Sequence, residues 1–272
     1  MMRLNLILAT LAVLLLSLLL WTDRPSPAPS SRTISTLDTG AVQRIALFAA
    51  DSAAPRIVLE REGGDWHLHQ PVTTRADAFR IAEILALPGF ISQRRLPVAG
   101  SNLAALDLDP PLWRVEFDGE RFDIGASEPV TGQRHVRHGE WLHLVEDFNP
   151  TPFDLNHADL ADRRLLPPDA RIVAMRLPDG RLAGDGAPLS GADAGLARRW
   201  TQAEAFWVGR PASADFESVR SRITLQLEDG ASLDFLISAT TPQLALIRPD
   251  LDLLYRLPGS ARDELLPVNG QP

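Results

Sequence analysis

The sequence of 272 residues predicts an α+β, strand-rich fold preceded by one transmembrane helix. From residue 42 onwards, short runs that alternate apolar and polar residues are separated by turn signals, a pattern typical of antiparallel strands. Helical spacing of apolar residues occurs in only a few segments. The second half repeats the order of the first. These observations predict two tandem related units of short antiparallel strands with a few packed helices.

The N-terminus contains an apolar run of 18 residues from Leu4 to Trp21. A helix rises about 1.5 Å per residue, so this run is just long enough to span a bilayer core. Arg3 precedes the run, whereas the charges of Asp23 and Arg24 after it cancel, which favours a cytoplasmic N-terminus and a periplasmic body. We interpret residues 1-21 as a membrane anchor, which predicts a single-pass protein held in the inner membrane through residues 4-21.

Two alternatives to an uncleaved signal anchor are a cleaved signal peptide and a buried core helix. The nearest small-x-small site is Ser26-Pro27-Ala28, and the proline that follows it is a poor context for cleavage. Residues 22-41 are assigned as a tether rich in proline and serine. Such a composition predicts a semi-extended segment that holds the body away from the membrane.

The first α+β unit is assigned to residues 42-168. Asp118-Gly119 lies between two alternating runs, which is the strongest short signal for a β-hairpin, and His138-Gly139 marks a second hairpin. Thr74 is expected to cap a helix over residues 75–87, where apolar residues recur at i, i+3, i+4 and i+7. A further helix is expected within residues 154–166.

The second, diverged α+β unit is assigned to residues 169-267, and residues 268-272 form a tail. Asp229-Gly230 again separates two strand-like runs, and Leu-Leu-Pro closes both units at Pro167 and Pro267. These parallels indicate a tandem duplication. Residues 184–195 are predicted to form a surface loop because they contain four glycines, and residues 196–208 are predicted to form a helix that carries Trp200 and Trp207.

The composition excludes several kinds of chemistry. The chain has no cysteine, so it has no disulfide, thiolate metal site or cysteine nucleophile. All 27 basic residues are arginine, which excludes a Schiff-base lysine and a phosphate-loop lysine. The formal charge of −8 argues against binding to nucleic acid, because that function needs a clustered basic face.

Histidines offer the strongest candidate metal ligands. His67 and His69 are two residues apart on a predicted strand, so they share a face, and His135, His138 and His143 surround a predicted hairpin. No HExxH motif occurs, and no carboxylate stands at a recognisable ligand spacing. We therefore expect solvated strand-face histidines, and no metal or other cofactor is predicted.

Other motifs are weak. Ser127 lies in a Gly-Ala-Ser-Glu segment that lacks the second glycine of a nucleophile elbow, so we expect its hydroxyl to satisfy local backbone groups. Gly184-Asp185-Gly186 is not a dinucleotide fingerprint because no strand–helix frame surrounds it. Two Asp-Leu-Asp segments, Asp107–Asp109 and Asp250–Asp252, could serve calcium binding or acid–base chemistry, but turns and caps are expected there.

Aromatic and cationic side chains could still form a binding surface. Exposed tryptophans could line a groove for a glycan or a peptide. Core packing is expected instead for most of the five in the body, which are Trp66, Trp113, Trp141, Trp200 and Trp207. The arginines are dispersed along the chain, so we expect solvated faces and carboxylate partners for them rather than an anion-binding patch.

Four segments resemble a bacterial, membrane-anchored domain-of-unknown-function family, the one numbered four-three-four-zero. The segment from Asp65 to Asp77 resembles the family's W-x-L…P…A-D start, and the segment Leu106–Pro111 resembles its G-L-D-x-P step. The segment 122–136 is similar to its I-G…P-x-x-G-x-R-Y-V hairpin, and the segment 160–167 is similar to its closing L-R-D-R-x-L-L. Asp107 and His135 depart from the family's usual glycine and tyrosine.

The resemblance covers residues 42–167 well and the second half weakly. It implies a structural rather than catalytic set of motif residues: Trp66, Pro71, Asp77, Asp109, Pro110, Gly125, Gly132 and Pro167. It further implies that some members accompany ABC transporters resembling those of gliding motility. It implies no activity.

Three functions follow as hypotheses. The first is a non-enzymatic interaction or accessory module of a periplasmic envelope or transport complex. The second is a periplasmic domain that binds a glycan or a peptide, and the third is a His-dependent hydrolase. No catalytic residues are assigned, so whether the protein is an enzyme stays open and the sequence leans against it.

Overall fold

The computed structural model describes residues 32–50, 52–146, 148, 151–184 and 186–266. The predicted anchor, the tail and most of the tether lie outside these residues. Among the helices that are described, none has both the length and the apolar character needed to cross a membrane. The anchor at residues 4-21 therefore stays a prediction.

The first sheet contains ten antiparallel strands in the order β1-β6-β10-β9-β8-β7-β2-β3-β4-β5. Asp118 and Gly119 both have positive φ in the predicted hairpin, and the Asp118 carboxylate accepts hydrogen bonds from the backbone N–H groups of Gln43 and Arg44. The turn is thereby fixed to strand β2. The strands β1 to β10 are Arg32–Thr33, Arg44–Phe48, Pro55–Glu62, Asp65–Gln70, Thr74–Arg75, Ile91–Pro97, Trp113–Phe117, Glu120–Ser127, Arg134–His138 and Trp141–Val145.

The second sheet contains seven antiparallel strands in the order β12-β11-β14-β15-β16-β17-β13. Strand β14 alternates buried and less buried residues, whereas β16, the fifth strand of the order, is buried on both faces. The strands β11 to β17 are Ile172–Arg176, Leu182–Ala183, Trp207–Gly209, Ser221–Leu227, Ser232–Ala239, Leu244–Arg248 and Leu253–Leu257.

The two sheets share one strand order. Strands β3-β2-β7-β8-β9-β10-β6 of the first sheet occur in the same sequence of pairings as β12-β11-β14-β15-β16-β17-β13 of the second. An isolated antiparallel β-bridge joins Arg164 to Glu204, which shortly precedes β13 in the chain. Strand β1 adds a comparable short pairing to β6 in the first sheet. The strand-rich α+β class is confirmed, whereas the unit boundaries and the duplication stay predictions.

Six short helices complete the described fold, and most of the large buried side chains form one continuous core that draws on both sheets. The Trp200 side chain is fully buried and donates from Nε1 to the Leu265 carbonyl. His157 contacts the Leu251 carbonyl across the sheets at 3.2 Å. The helices α1 to α6 are Ala78–Leu85, Thr151–Asp154, His157–Leu160, Gly191–Gln202, Ser213–Glu217 and Ala261–Leu265.

The predicted start of the first helix is wrong. Helix α1 begins at Ala78, and its cap is Asp77, whose carboxylate accepts from the N–H groups of Phe79 and Arg80. Thr74 and Arg75 instead form β5, which pairs with β4. A free carboxylate just before the apolar face is a strong competing cap, which moves the helix start by three residues.

Two further helix predictions are corrected. The segment 154–166 holds no long helix, because α2 and α3 are single turns and Asn156 starts the second of them with a capping box. Helix α4 begins at Gly191, inside the predicted loop, and ends at Gln202. Trp207 therefore lies in β13, where it pairs with Arg256.

Candidate functional site

The best-formed concave site lies where the two sheets meet. We name it the inter-sheet cleft; it has a volume of about 610 Å³. Sites for small ligands typically have volumes of roughly 300–1,000 Å³ and favour such junctions. Its walls come from β4 and β5, from the connector 162–169 and from the turn between β14 and β15, and its floor comes from β16 and β17. The polar and charged lining residues are Asp65, His67, Thr73, Thr74, Arg75, Asp162, Arg164, Asp169, Asp229, Arg248 and Tyr255.

Tyr255 forms part of the floor of this cleft. It is the central residue of β17, and it is only 2% exposed. Burial raises the pKa of its phenol to about 12, and the charges of Asp162 and Asp250 add to the rise while Arg248 opposes it. No described residue accepts a hydrogen bond from the hydroxyl. At neutral pH it is therefore a protonated donor without a protein acceptor.

Arg248 lies beside Tyr255 on the same face of the sheet, because Arg248 pairs with Leu253 and Tyr255 pairs with Leu246 on the neighbouring strand. Arg248 is 7% exposed. Its Nε and Nη2 donate to the two carboxylate oxygens of Asp250 at 2.9 and 2.6 Å. This fork leaves Nη1 without an acceptor among the described residues.

The Asp250 partner is charged at neutral pH. Burial alone would raise the pKa of Asp250, but hydrogen bonds from Arg248 and from backbone N–H groups lower it on balance. The planar guanidinium is therefore held in one orientation by a two-point contact. Its carbon lies 5.2 Å from the Phe235 ring centroid, so the cation is also packed from below.

The opposite wall carries charges that neutralise one another. Arg75 contacts Asp65 at 3.0 Å through Nη2 and Asp162 at 3.2 Å through Nε. Arg164 contacts the same Asp162 oxygen at 3.4 Å. These ion pairs tie β5 to the connector. The Tyr255 hydroxyl and Arg248 Nη1 take no part in these ion pairs.

A second concave surface, of about 680 Å³, lies on the first sheet. We name it the N-terminal cleft because residues 32–36 form one of its walls. The remaining walls come from Arg95 on β6, from His138 and from Trp141 and His143 on β10. Arg95 stacks on Trp141, with 3.6 Å between the guanidinium carbon and the ring centroid.

His143 is enclosed within the N-terminal cleft and is 3% exposed. Its Nδ1 lies 3.0 Å from the Ser92 hydroxyl, which donates its own proton to the Arg94 carbonyl. Nδ1 must therefore carry the proton of the neutral ring. Burial lowers the pKa of His143 to about 4, and Arg95 and His138 add to this effect. Nε2 is buried without a partner.

The geometry required for a His-dependent hydrolase is incomplete in the N-terminal cleft. His138 Nε2 meets a carboxylate oxygen of Glu120 at 3.2 Å, and Ser35 donates to the same oxygen at 2.6 Å. The other imidazole nitrogen, Nδ1, contacts the Arg121 carbonyl. The serine is thus bonded to the acid rather than to the imidazole, so His138 cannot act as its base.

The histidines form no metal centre among the described residues, where no group of three metal-ligating side chains converges. His67 and His69 both approach Glu62, at 3.8 and 2.9 Å. The expectation of solvated histidines is wrong for His135 and His143, which are both buried. His135 Nδ1 contacts the Ala126 carbonyl at 2.9 Å, which lets the ring be buried.

The tryptophans do not all belong to the core. Trp66 and Trp200 are buried and Trp113 packs against the core, as predicted. The expectation of core packing is wrong for Trp141 and Trp207, which are 39% and 41% exposed. An arginine covers one face of each ring, so part of the indole is removed from water without core burial.

The weak motifs occupy turns. Asp107 and Asp252 both have positive φ, Asp250 pairs with Arg248, and Asp252 pairs with Arg210 at 2.7 Å, so the expectation of turns holds. Ser127 ends β8, and its hydroxyl is buried without a partner, which corrects the expectation of local satisfaction. Of Gly184-Asp185-Gly186, Asp185 lies outside the described residues.

At several family-motif positions, the local backbone geometry restricts which residue can occur. A Cβ on Gly125 would lie 2.3 Å from the Leu106 carbonyl oxygen, and Gly132 has a φ of +70°, so both places favour glycine. Asp77 caps α1 and also contacts Arg163 at 3.5 Å. Pro167 lines the inter-sheet cleft.

The remaining motif residues lie in the first sheet and its loops. Trp66 is buried in β4. The peptide bonds that precede Pro71 and Pro110 are cis, and Asp109 supplies the residue before the second of them. Trp66, Pro71, Asp109 and Pro110 do not line the inter-sheet cleft, whose motif-derived residue is Pro167.

Sequence reasoning missed the two floor residues, Tyr255 and Arg248. One signal was available: Tyr255 is the single tyrosine of the chain, and it stands at the centre of an otherwise aliphatic and arginine-containing strand. The position of Arg248 directly before Pro249-Asp250 was the other, because a turn there brings the carboxylate back to the guanidinium.

Three comparisons with known proteins were made. No family model, no curated protein and no solved structure is similar to this chain at a significant level. The resemblance to the family numbered four-three-four-zero therefore rests on the quoted motifs alone.

Proposed function

We propose that this protein is a non-enzymatic binding module that serves an envelope or transport complex, and that the inter-sheet cleft is its binding element. The observation that carries the proposal is the pair of unpartnered donors on the cleft floor, the Tyr255 hydroxyl and Arg248 Nη1. Neither atom is among the buried polar atoms that lack a partner, so both are open to the cleft, where a bound ligand can accept hydrogen bonds from them.

The absence of catalytic geometry among the described residues supports binding over turnover. The Ser35, Glu120 and His138 side chains contact one another in an order that leaves no free base for the hydroxyl. The buried His143 holds its proton on the side of Ser92. A His-dependent hydrolase is therefore the weakest of the three hypotheses.

The cellular location of the protein is part of the proposal, and it is inferred from the sequence. An anchor at residues 4-21 places the N-terminus in the cytoplasm and the body in the periplasm, at the inner membrane. The resemblance to a membrane-anchored family, some of whose members accompany ABC transporters, supports a transport or envelope complex as the partner.

Photo-crosslinking in cells that carry the full chain tests this function. A photoreactive residue at Ala231, inside the cleft, is compared with one at Glu217, which lies on α5 outside it. We expect a discrete adduct with a periplasmic ligand or envelope component from position 231 alone. Equal labelling from both positions, or labelling from position 217 alone, would contradict the proposal.

A further inference from the structure

We propose that the inter-sheet cleft recognises a singly charged carboxylate at the C-terminal end of a peptide, through the Tyr255 hydroxyl and Arg248 Nη1. This inference rests on the proposed function, because it names the ligand of the same cleft.

The donors match a planar acceptor with two oxygens. Arg248 and Tyr255 are diagonal neighbours on adjacent strands and share the face that forms the floor. Both side chains are more than nine-tenths buried, and Asp250 holds the Arg248 guanidinium at two points. One neutral O–H and one cationic N–H group suit the two oxygens of a carboxylate.

The charge of the walls favours a singly charged group over a phosphate. The lining contains three arginines against four aspartates, and Arg75 and Arg164 are already paired with Asp65 and Asp162. Arg248 is itself paired with Asp250, so the surplus of carboxylates would repel a doubly charged phosphate more strongly than a singly charged carboxylate.

The lining favours a peptide over a glycan. Glycan sites usually present the face of an aromatic ring, but Tyr255 is the one aromatic side chain of this cleft, and it is buried in the floor. The apolar wall is aliphatic, with side chains that suit those of a peptide: Leu165, Leu166, Leu227, Leu233 and Leu251. Capture of a terminal carboxylate is an established mode of peptide recognition.

The single tyrosine allows a direct test in the full chain in detergent micelles. With ring-labelled tyrosine, Tyr255 gives one NMR signal, which is titrated with N-acetyl-Ala-Ala and with its C-terminal amide. We expect a saturable shift with the acid and none with the amide. A shift with glucuronate or inorganic phosphate but not with the peptide acid would overturn the ligand class while leaving the proposed function standing.

Variants make the assignment specific, with affinity measured by calorimetry. Tyr255→Phe keeps the ring, and Arg248→Lys keeps the charge but loses Nη1; we expect each to weaken binding of the acid about tenfold or more. Arg256→Gln, next to Tyr255 on the other face of β17, serves as the matched control and should bind as the wild type does. Unchanged affinity in Tyr255→Phe would overturn the proposal even if Arg248→Lys fails to fold.

Discussion

The central residue of the last meander strand is His143 in the ten-stranded sheet and Tyr255 in the seven-stranded sheet. Each pairs with the central residue of the strand before it, Val136 or Leu246. That preceding strand ends in both sheets with a polar residue packed on a phenylalanine: His138 on Phe122, and Arg248 near Phe235. Both clefts are therefore built on corresponding positions of a shared strand order.

The two clefts differ in the hydrogen bonds that their polar side chains can still form. His143 donates its Nδ1 proton to the Ser92 hydroxyl and leaves a shielded lone pair on Nε2, whereas Tyr255 and Arg248 present donors to an open cleft. Equivalent positions in two sheets of the same strand order therefore need not have the same role. In the first sheet the buried polar residue is part of the packing, and in the second it is available to a ligand.

Removal of a buried charge should have the largest effect on the free energy of unfolding. Asp123 in the first sheet is 1% exposed and contacts Arg114 and Arg121, whereas Asp234 in the second sheet is half-exposed beside Arg222. We expect Asp123→Ala to lower the free energy of unfolding by about 3 kcal/mol, because it leaves a cation without its buried partner. We expect Asp234→Ala to cost less than about 1 kcal/mol, since exposed pairs contribute little. Denaturant unfolding of both variants measures the difference, and equal losses would contradict this contrast.

Acid should destabilise the protein through His143. Its folded pKa of about 4 lies below its ordinary value of 6.5, so the unfolded chain binds the proton first. Stability is therefore complete above pH 6.5 and falls as the pH drops towards 4, by a contribution of about 1–3 kcal/mol. Unfolding curves for the wild type and His143→Phe test this point. Parallel pH profiles would show that His143 is not the source.

The exposed Arg–Trp stacks should each contribute a small amount to the stability of their sheet. Arg95 covers Trp141 in the first sheet, and Arg256 covers Trp207 in the second, at 3.6 and 5.4 Å. We expect Arg95→Gln and Arg256→Gln each to cost about 0.5–1 kcal/mol in unfolding, with the larger loss for the closer pair. Tryptophan fluorescence during denaturation provides the readout. A loss above that range for either variant would indicate contacts other than the stack.

Tyr255→Phe should have the smallest effect on stability. None of the residues that the structure describes accepts a hydrogen bond from the hydroxyl, so its removal breaks no hydrogen bond among them. We expect a change within about 0.5 kcal/mol of the wild-type free energy of unfolding. A loss well beyond that, measured by thermal and denaturant unfolding, would show that the hydroxyl is used inside the fold.

Local structure could be predicted from the sequence wherever a single turn or helix cap determines it. Asp118-Gly119 and Asp229-Gly230 gave correct hairpins because the required backbone conformation is encoded in two adjacent residues. The start of α1 was missed because Asp77 outcompetes Thr74 as a cap, and the start of α4 was placed too late because its first turn is rich in glycine and alanine.

The inter-sheet cleft could not be predicted in the same way. Its walls come from β5, from the connector at 162–169 and from the floor strands of the second sheet, so it exists only once the sheets have packed. The prediction that the histidines are exposed to solvent failed for a similar reason. Strand alternation places His135 and His143 on opposite faces of the sheet, but packing of other segments decides whether either face meets water.

The most direct test of the contrast between the two clefts uses full-length protein labelled on tyrosine and histidine, titrated with N-acetyl-Ala-Ala. His143→Phe identifies the His143 signal among those of the six histidines. We expect the Tyr255 signal to move saturably while the His143 signal stays in place. Movement of His143 without movement of Tyr255 would contradict the assignment of the inter-sheet cleft as the binding element.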